Sequence, residues 1–202
     1  MALFNLPENF VPKVEIDPKV QLQREGFEYY AIPADAVADI LQREPLSGSI
    51  LDPSAGQGQL VKALKNYYPN SDIVGTDLAE RENDGSITCG IDFLTYDYGR
   101  KFDNIVMNPI FGVAKEYIER ALKMANKRVY CFLKINFLEG VGRKDFLENS
   151  PLHYIYVFSR RVSPLKNGCE VNEHGKDWHS TMCFAWYIWD IDYTGEPIIR
   201  WI

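Results

Sequence analysis

No apolar run in this 202-residue chain reaches the roughly 20 residues that a membrane-spanning helix needs. The opening residues, Met1-Ala2-Leu3-Phe4-Asn5-Leu6-Pro7-Glu8, also lack the basic start and apolar core of a secretory signal. A soluble, cytoplasmic protein with no membrane partner is the expectation. Cysteine is sparse: Cys89, Cys131, Cys169 and Cys183 stand apart with no Cys-x-x-Cys pair, which argues against a disulfide framework or a structural zinc cluster. Cys169, His174 and His179 recur at five-residue intervals, but three ligands in a polar loop without a fourth do not make a site, so no metal is expected. Positive charge is in deficit, with 22 Lys and Arg against 28 Asp and Glu for a net of -6. That disfavours a broad electrostatic grip on nucleic acid and leaves room only for a local basic patch. Internal repeats and low-complexity tracts are absent as well.

What is present organises itself around Ile50-Leu51-Asp52-Pro53-Ser54-Ala55-Gly56-Gln57-Gly58-Gln59-Leu60, an apolar run that breaks into small residues and resumes at helical spacing. This pattern predicts strand, glycine turn and helix. Gly56 and Gly58 supply backbone without Cβ where a bound nucleoside must approach the main chain, and the first amides of the following helix face the same place. The fixed charge of Asp52 repels phosphate, and no Gly-Lys-Ser/Thr follows, so the turn is not a P-loop.

In chain order, residues 1–26 carry Pro7, Pro12 and Pro18 without sustained periodicity and are expected to form an extended arm, with a single domain over 27–202. An aromatic run, Phe27 to Pro33, precedes a helical pattern at Ala36, Val37, Ile40 and Leu41. After the glycine turn come a helix face (Leu60, Val61, Leu64, Tyr67, Tyr68) and a short strand from Asp72 to Asp77. Asp77 lies about twenty residues past the glycines, the distance at which a Rossmann-type fold places a carboxylate for ribose hydroxyls. Ser86 to Leu94 is a weak strand ending in Asp92-Phe93. Phe102 to Met107 is a strong one ending in Asn108-Pro109-Ile110-Phe111, and strands of such sheets deliver reactive groups at their carboxyl ends. A helix from Ala114 to Ala125 and a strand from Arg128 to Ile135 follow. Beyond them lie a short helix at Lys144 to Leu147, a strand from Tyr154 to Phe158, a polar loop from Ser159 to Thr181 and a strand from Met182 to Trp189. This alternation implies an α/β fold with a parallel sheet and right-handed crossovers.

Together these residues resemble the class I S-adenosylmethionine-dependent methyltransferases, and within them the amino-methyltransferases typified by adenine-specific (N6) DNA methylases. Asp52-Pro53-Ser54-Ala55-Gly56-Gln57-Gly58 resembles the family's cofactor loop. Asp77, with Leu78 beside it, resembles its ribose acid, Asp92-Phe93 its adenine contact and Asn108-Pro109-Ile110-Phe111 its Asn-Pro-Pro-Tyr/Phe catalytic motif. Tyr30 and Pro33 stand where related enzymes have Tyr-x-Thr-Pro, with Ile32 in place of Thr. Ile110 replaces the motif's second Pro. The resemblance runs from Phe27 to Trp189. Within it, Phe137-Leu138-Glu139-Gly140, Tyr156-Val157-Phe158-Ser159-Arg160-Arg161 and Cys183-Phe184-Ala185-Trp186-Tyr187-Ile188-Trp189 resemble small methylases of bacteriophages and prophages.

The resemblance implies a Rossmann-like class I methyltransferase fold: a seven-stranded, mostly parallel sheet with an antiparallel last strand and helices on both faces. It implies S-adenosylmethionine as cofactor and DNA as the nucleic-acid substrate. Asn108 and the Pro109 carbonyl would accept the two hydrogens of an adenine amine while Phe111 stacks on the base. An amino-methyltransferase acting on RNA or a protein glutamine, and a non-catalytic cofactor-binding assembly module, are the alternatives. Arg160 and Arg161 are candidates for phosphate contact. Their loop holds Arg160, Arg161, Lys166 and Lys176 against Glu170, Glu173 and Asp177, a net of +1 (4 minus 3). It is expected to emerge on the same side as Asn108 and to face the substrate.

Overall fold

A computed structural model describes residues 29–81 and 83–202; the arm expected over 1–26 lies outside them. The chain runs β1 (Tyr30–Ala31), α1 (Ala34–Arg43), β2 (Ile50–Asp52), α2 (Gln59–Tyr67), β3 (Ile73–Thr76), β4 (Ile87–Thr88) and β5 (Phe102–Met107). It continues through a 3-10 turn at Phe111–Val113, α3 (Ala114–Met124), β6 (Ala125–Lys134), α4 (Val141–Asn149), β7 (Leu152–Val157), β8 (Leu165–Lys166), β9 (Phe184–Asp190) and β10 (Ile198–Trp201).

The main sheet has the order β10-β7-β9-β6-β5-β2-β3-β4. Only β9 is antiparallel to its neighbours, β6 and β7. Alternation along β9 decides what each face buries: Phe184, Trp186 and Ile188 meet α1 and α2, while Ala185, Tyr187 and Trp189 join the core under α3. Val37 and Ile40 of α1 and Leu60 and Leu64 of α2 fill the first face; Tyr117, Ile118 and Ala121 of α3 fill the second. The indole of Trp186 donates to the Ala36 carbonyl at 2.9 Å, so this fully buried ring satisfies its one polar atom on α1.

Three expectations are adjusted. The antiparallel strand is not the last one, because the tail adds an eighth strand, β10, parallel to β7. All four of its residues are exposed, so no burial period marked it in the sequence. The weak strand from Ser86 to Leu94 shortens to Ile87–Thr88: Gly90 takes φ +74° just past it, and Asp92 then turns the chain by accepting the Leu94 amide at 2.9 Å. The polar loop after β7 is not all loop. Its β8 pairs antiparallel with β1, Tyr30 opposite Lys166 and Ala31 opposite Leu165, and two-residue strands are too short to show a period.

At the opposite end of the sheet from the carboxyl ends of β2 and β5, a buried charge joins α1 to the sheet. Glu44 accepts from Arg128 at 2.8 Å and from the Tyr156 hydroxyl, and Arg128 also donates to Asp190 at 2.8 Å. Removing one partner of such a buried set strands the others. Glu44→Ala is therefore expected to cost about 3 kcal/mol in urea unfolding. A loss below about 1 kcal/mol would show that water replaces the carboxylate.

Candidate active site

β2, β3 and β5 are neighbours in the sheet, so their carboxyl ends bring Asp52, Asp77 and Asn108 to one crevice. The glycine turn is stitched into place from both sides: the Ala55 amide donates to the Thr76 carbonyl at 3.0 Å, and the Ser54 hydroxyl donates to the Asn108 carbonyl at 3.2 Å. Gly56 has φ +57°, and a Cβ there would lie 2.7 Å from the Tyr29 ring. Only glycine fits both demands.

Asp77 holds the turn as well as lining the crevice. Its Oδ2 accepts from the Gly56 amide at 2.7 Å and its Oδ1 from the Ala79 amide at 2.9 Å. Each carboxylate oxygen can accept a second bond, so capacity remains for a ligand hydroxyl. The Arg81 guanidinium lies 4.6 Å from the Tyr29 ring centroid, and its Nε is 3.9 Å from Asp77 Oδ1.

Asn108 is oriented by the backbone of β1: its amide nitrogen donates to the Tyr30 carbonyl, which fixes Oδ1 as the free end. Asn108 Oδ1, Asp52 Oδ2 and Gln59 Oε1 are buried oxygens with no donor among the described residues. All three residues line one small cavity beneath Tyr30. Such a set of acceptors suits a donor-rich or cationic group. Burial holds the Asp52 carboxyl well above the ordinary carboxylate range, against the Ser54 amide that favours its ionised form.

The sign of that shift gives a prediction. A folded-state pKa above the unfolded value, about 3.9, means stability falls as pH rises through the interval between them. Asp52→Asn removes this loss. The variant is expected to be more stable than the parent at neutral pH, with the difference closing as pH falls below the unfolded-state value. Thermal melts across pH that show no such divergence would place a compensating partner on Asp52.

The crevice itself, about 180 Å³, is lined by Tyr30, Pro53, Ser54, Asp77, Leu78, Asn108, Pro109, Ile110 and Phe111 of the residues singled out in the sequence. Tyr29, Ala79, Arg81 and Tyr117 line it too and were not singled out. Arg81 carried one signal, its i, i+4 spacing from Asp77. Tyr117 looked like any other core position of α3. Ile110 has φ -58°, the value a proline ring would fix, so the backbone of the motif is kept without the second proline.

Several expected residues lie off the crevice. Phe93 is fully buried, 5.2 Å from the Tyr117 ring and 6.3 Å from that of Tyr98, so it backs the wall without reaching its surface. Asp92 is buried in its turn. Pro33 starts α1, its carbonyl accepting the Val37 amide at 3.2 Å. Gly58 starts α2 at φ 90°. Ala55 lines only the small cavity under Tyr30. Arg160 is spent on α1, 2.7 Å from Asp35 and 2.8 Å from Asp39, and Arg161 donates to the Thr181 carbonyl and Cys183 Sγ. Neither lines the crevice. No group of three or more His, Cys, Asp or Glu side chains among the described residues is placed to hold a metal, and no described helix is long and apolar enough to cross a membrane.

Against known proteins, no family description matches the chain. A type II methyltransferase, M.CvrRI, of Paramecium bursaria Chlorella virus XZ-6E is 39% identical over 67 residues, a match covering 30% of this chain and 18% of that protein, less than a fifth of its length. Among solved structures, a predicted O-methyltransferase of Agrobacterium tumefaciens superposes with a TM-score of 0.55 at 14% identity, covering 83% of this chain and 85% of that one. A SAM-dependent O-methyltransferase of Thermotoga maritima gives 0.54 at 10% identity, covering 83% and 69%. At these identities the structures bear on the fold.

Proposed function

We propose that this chain, which has the class I methyltransferase fold, transfers a methyl group from S-adenosylmethionine to the exocyclic amine of adenine in DNA. The observation that carries this reading is Asn108: a buried side-chain oxygen without a donor, at the carboxyl end of β5, with Phe111 on the rim of the same crevice. The partial match to a type II methyltransferase supports it.

The residues fit the cofactor. Asp77 retains acceptor capacity for ribose hydroxyls, and Asp52 and Gln59 present unpartnered oxygens to a cationic methionine end. When bound, it would supply an electrophilic methyl on a sulfonium, to which the acceptor amine would give its lone pair while losing one proton to solvent.

The rest is done by the chain. An adenine amine is a weak nucleophile because its lone pair is delocalised into the ring, and acceptors on its hydrogens favour the pyramidal nitrogen that can attack. Asn108 Oδ1 is one such acceptor and the Pro109 carbonyl the second. Neither needs to ionise, since both stabilise a developing cation by placement. Phe111 offers its ring to the base, a contact that contributes roughly 1–3 kcal/mol.

Transfer of label from methyl-labelled cofactor to DNA, RNA and protein pools, followed by digestion to nucleosides and amino acids, tests this. N6-methyladenine from DNA is expected. Label in RNA or on glutamine alone would move the acceptor, and cofactor binding without transfer to any pool would leave an assembly module.

A further inference from the structure

A second cleft, about 320 Å³, opens beside the crevice and shares Tyr30 and Phe111 with it as a common wall. Its other side is built by the segment between β7 and β9, including Trp178, His179 and Met182, with Lys166 of β8 and Lys134 at the carboxyl end of β6. Among the described residues that line it there is no carboxylate, in a protein of net charge -6. The Lys134 ammonium sits 4.6 Å from the Phe111 ring centroid, and no carboxylate among the described residues lies within salt-bridge distance of it. Arg128 and Arg160, by contrast, are each committed to two carboxylates. Beside Lys134 the cleft is apolar and aromatic: Met182 is 45% exposed, and the half-buried Trp178 ring is anchored by its Nε1 donating to the Cys169 carbonyl at 2.8 Å.

A cation at the junction with the crevice and a fixed aromatic face beyond it match the repeat of a nucleic-acid strand, in which phosphate and base alternate. From this we infer that the second cleft holds the nucleotide next to the acceptor adenine, with Lys134 on the intervening phosphate and Trp178 and Met182 on the neighbouring base, in an unpaired DNA strand. The inference rests on the proposed reaction at Asn108. The preference for an unpaired strand follows from charge. A duplex grip commonly takes 6–10 phosphate contacts, and Lys134, Lys166 and His179 are the only cationic or potentially cationic groups among the described lining residues.

The test is fluorescence anisotropy of a labelled adenine-containing DNA oligonucleotide, single-stranded and as its duplex, over a series of NaCl concentrations with S-adenosylhomocysteine present. Tighter binding of the single strand is expected. Lys134→Gln should flatten the log affinity against log salt slope by about 0.7, the share of one phosphate on a single strand, and Lys134→Arg should restore it. Trp178→Ala should weaken binding about tenfold with the slope unchanged. Melting temperatures matching the parent's establish that the variants are folded. Equal or tighter binding of the duplex or of the corresponding RNA, or an unchanged slope in folded Lys134→Gln, would overturn the inference. Methyl transfer with an unchanged slope defeats the cleft alone; the expected binding pattern without any transfer defeats the reaction and leaves the cleft standing; no binding of DNA defeats both.

Discussion

Asn108→Ala is expected to lower kcat about 10²–10³-fold while S-adenosylhomocysteine binds with nearly parental affinity. The side chain lies between β1 and the crevice, its nitrogen engaged by the Tyr30 carbonyl and its oxygen free. An acceptor of this kind acts on the nitrogen as it becomes cationic and contributes little to ground-state binding, so the loss belongs in kcat. Asn108→Asp sharpens the test. It keeps an acceptor but gives up the donor that Tyr30 holds, so it should also be slow, with the defect lying in orientation. Single-turnover rates with saturating cofactor are the measurement, and an alanine variant that turns over at the parental rate would falsify the assignment.

Asp77→Ala should weaken cofactor binding by at least the roughly 1.5–3 kcal/mol of a charge-assisted hydrogen bond, a factor of about ten to over a hundred. The geometry points to the upper end. The same carboxylate ties down the Gly56 and Ala79 amides, so its removal loosens the glycine turn in addition to deleting ligand contacts. Asp77→Asn separates the two effects, because it keeps an oxygen for one amide and loses the charge. Calorimetric titration of both variants should rank parent, asparagine, alanine in falling affinity. Equal affinity for all three would place the ribose elsewhere.

The parts of this protein that could be read from sequence are those in which one residue type answers to one physical demand. Trp186 and Tyr187 fall on opposite faces of β9 because strand periodicity leaves them no choice, and Gly56 is glycine because Tyr29 packs on its Cα. Asp77 and Asn108 come to one crevice because each follows the carboxyl end of a neighbouring strand. Phe93 is the harder case: β4 has already stopped at Thr88, and the tight turn at Asp92 directs the ring inward against Tyr117. Arg160 shows the limit of charge as a signal. A guanidinium counts as free in the sequence until α1 brings Asp35 and Asp39 beside it. Lys134 is the converse, an unremarkable strand-end lysine whose setting is supplied by residues from 163 to 184 that approach it only in the fold.

The short pairing of β1 with β8 links these places. Tyr30 presents its carbonyl to Asn108 and its side chain to both clefts, and across the ladder it faces Lys166 in the segment between β7 and β9. The orientation of the Asn108 amide thus depends on a two-residue ladder whose other strand belongs to the second cleft's wall. A ligand that steadies this ladder from either cleft must favour the ligand in the other by the same factor, because coupling free energy is reciprocal. Occupancy of the outer cleft would then bear, through the β1–β8 ladder, on how the Asn108 amide is aligned.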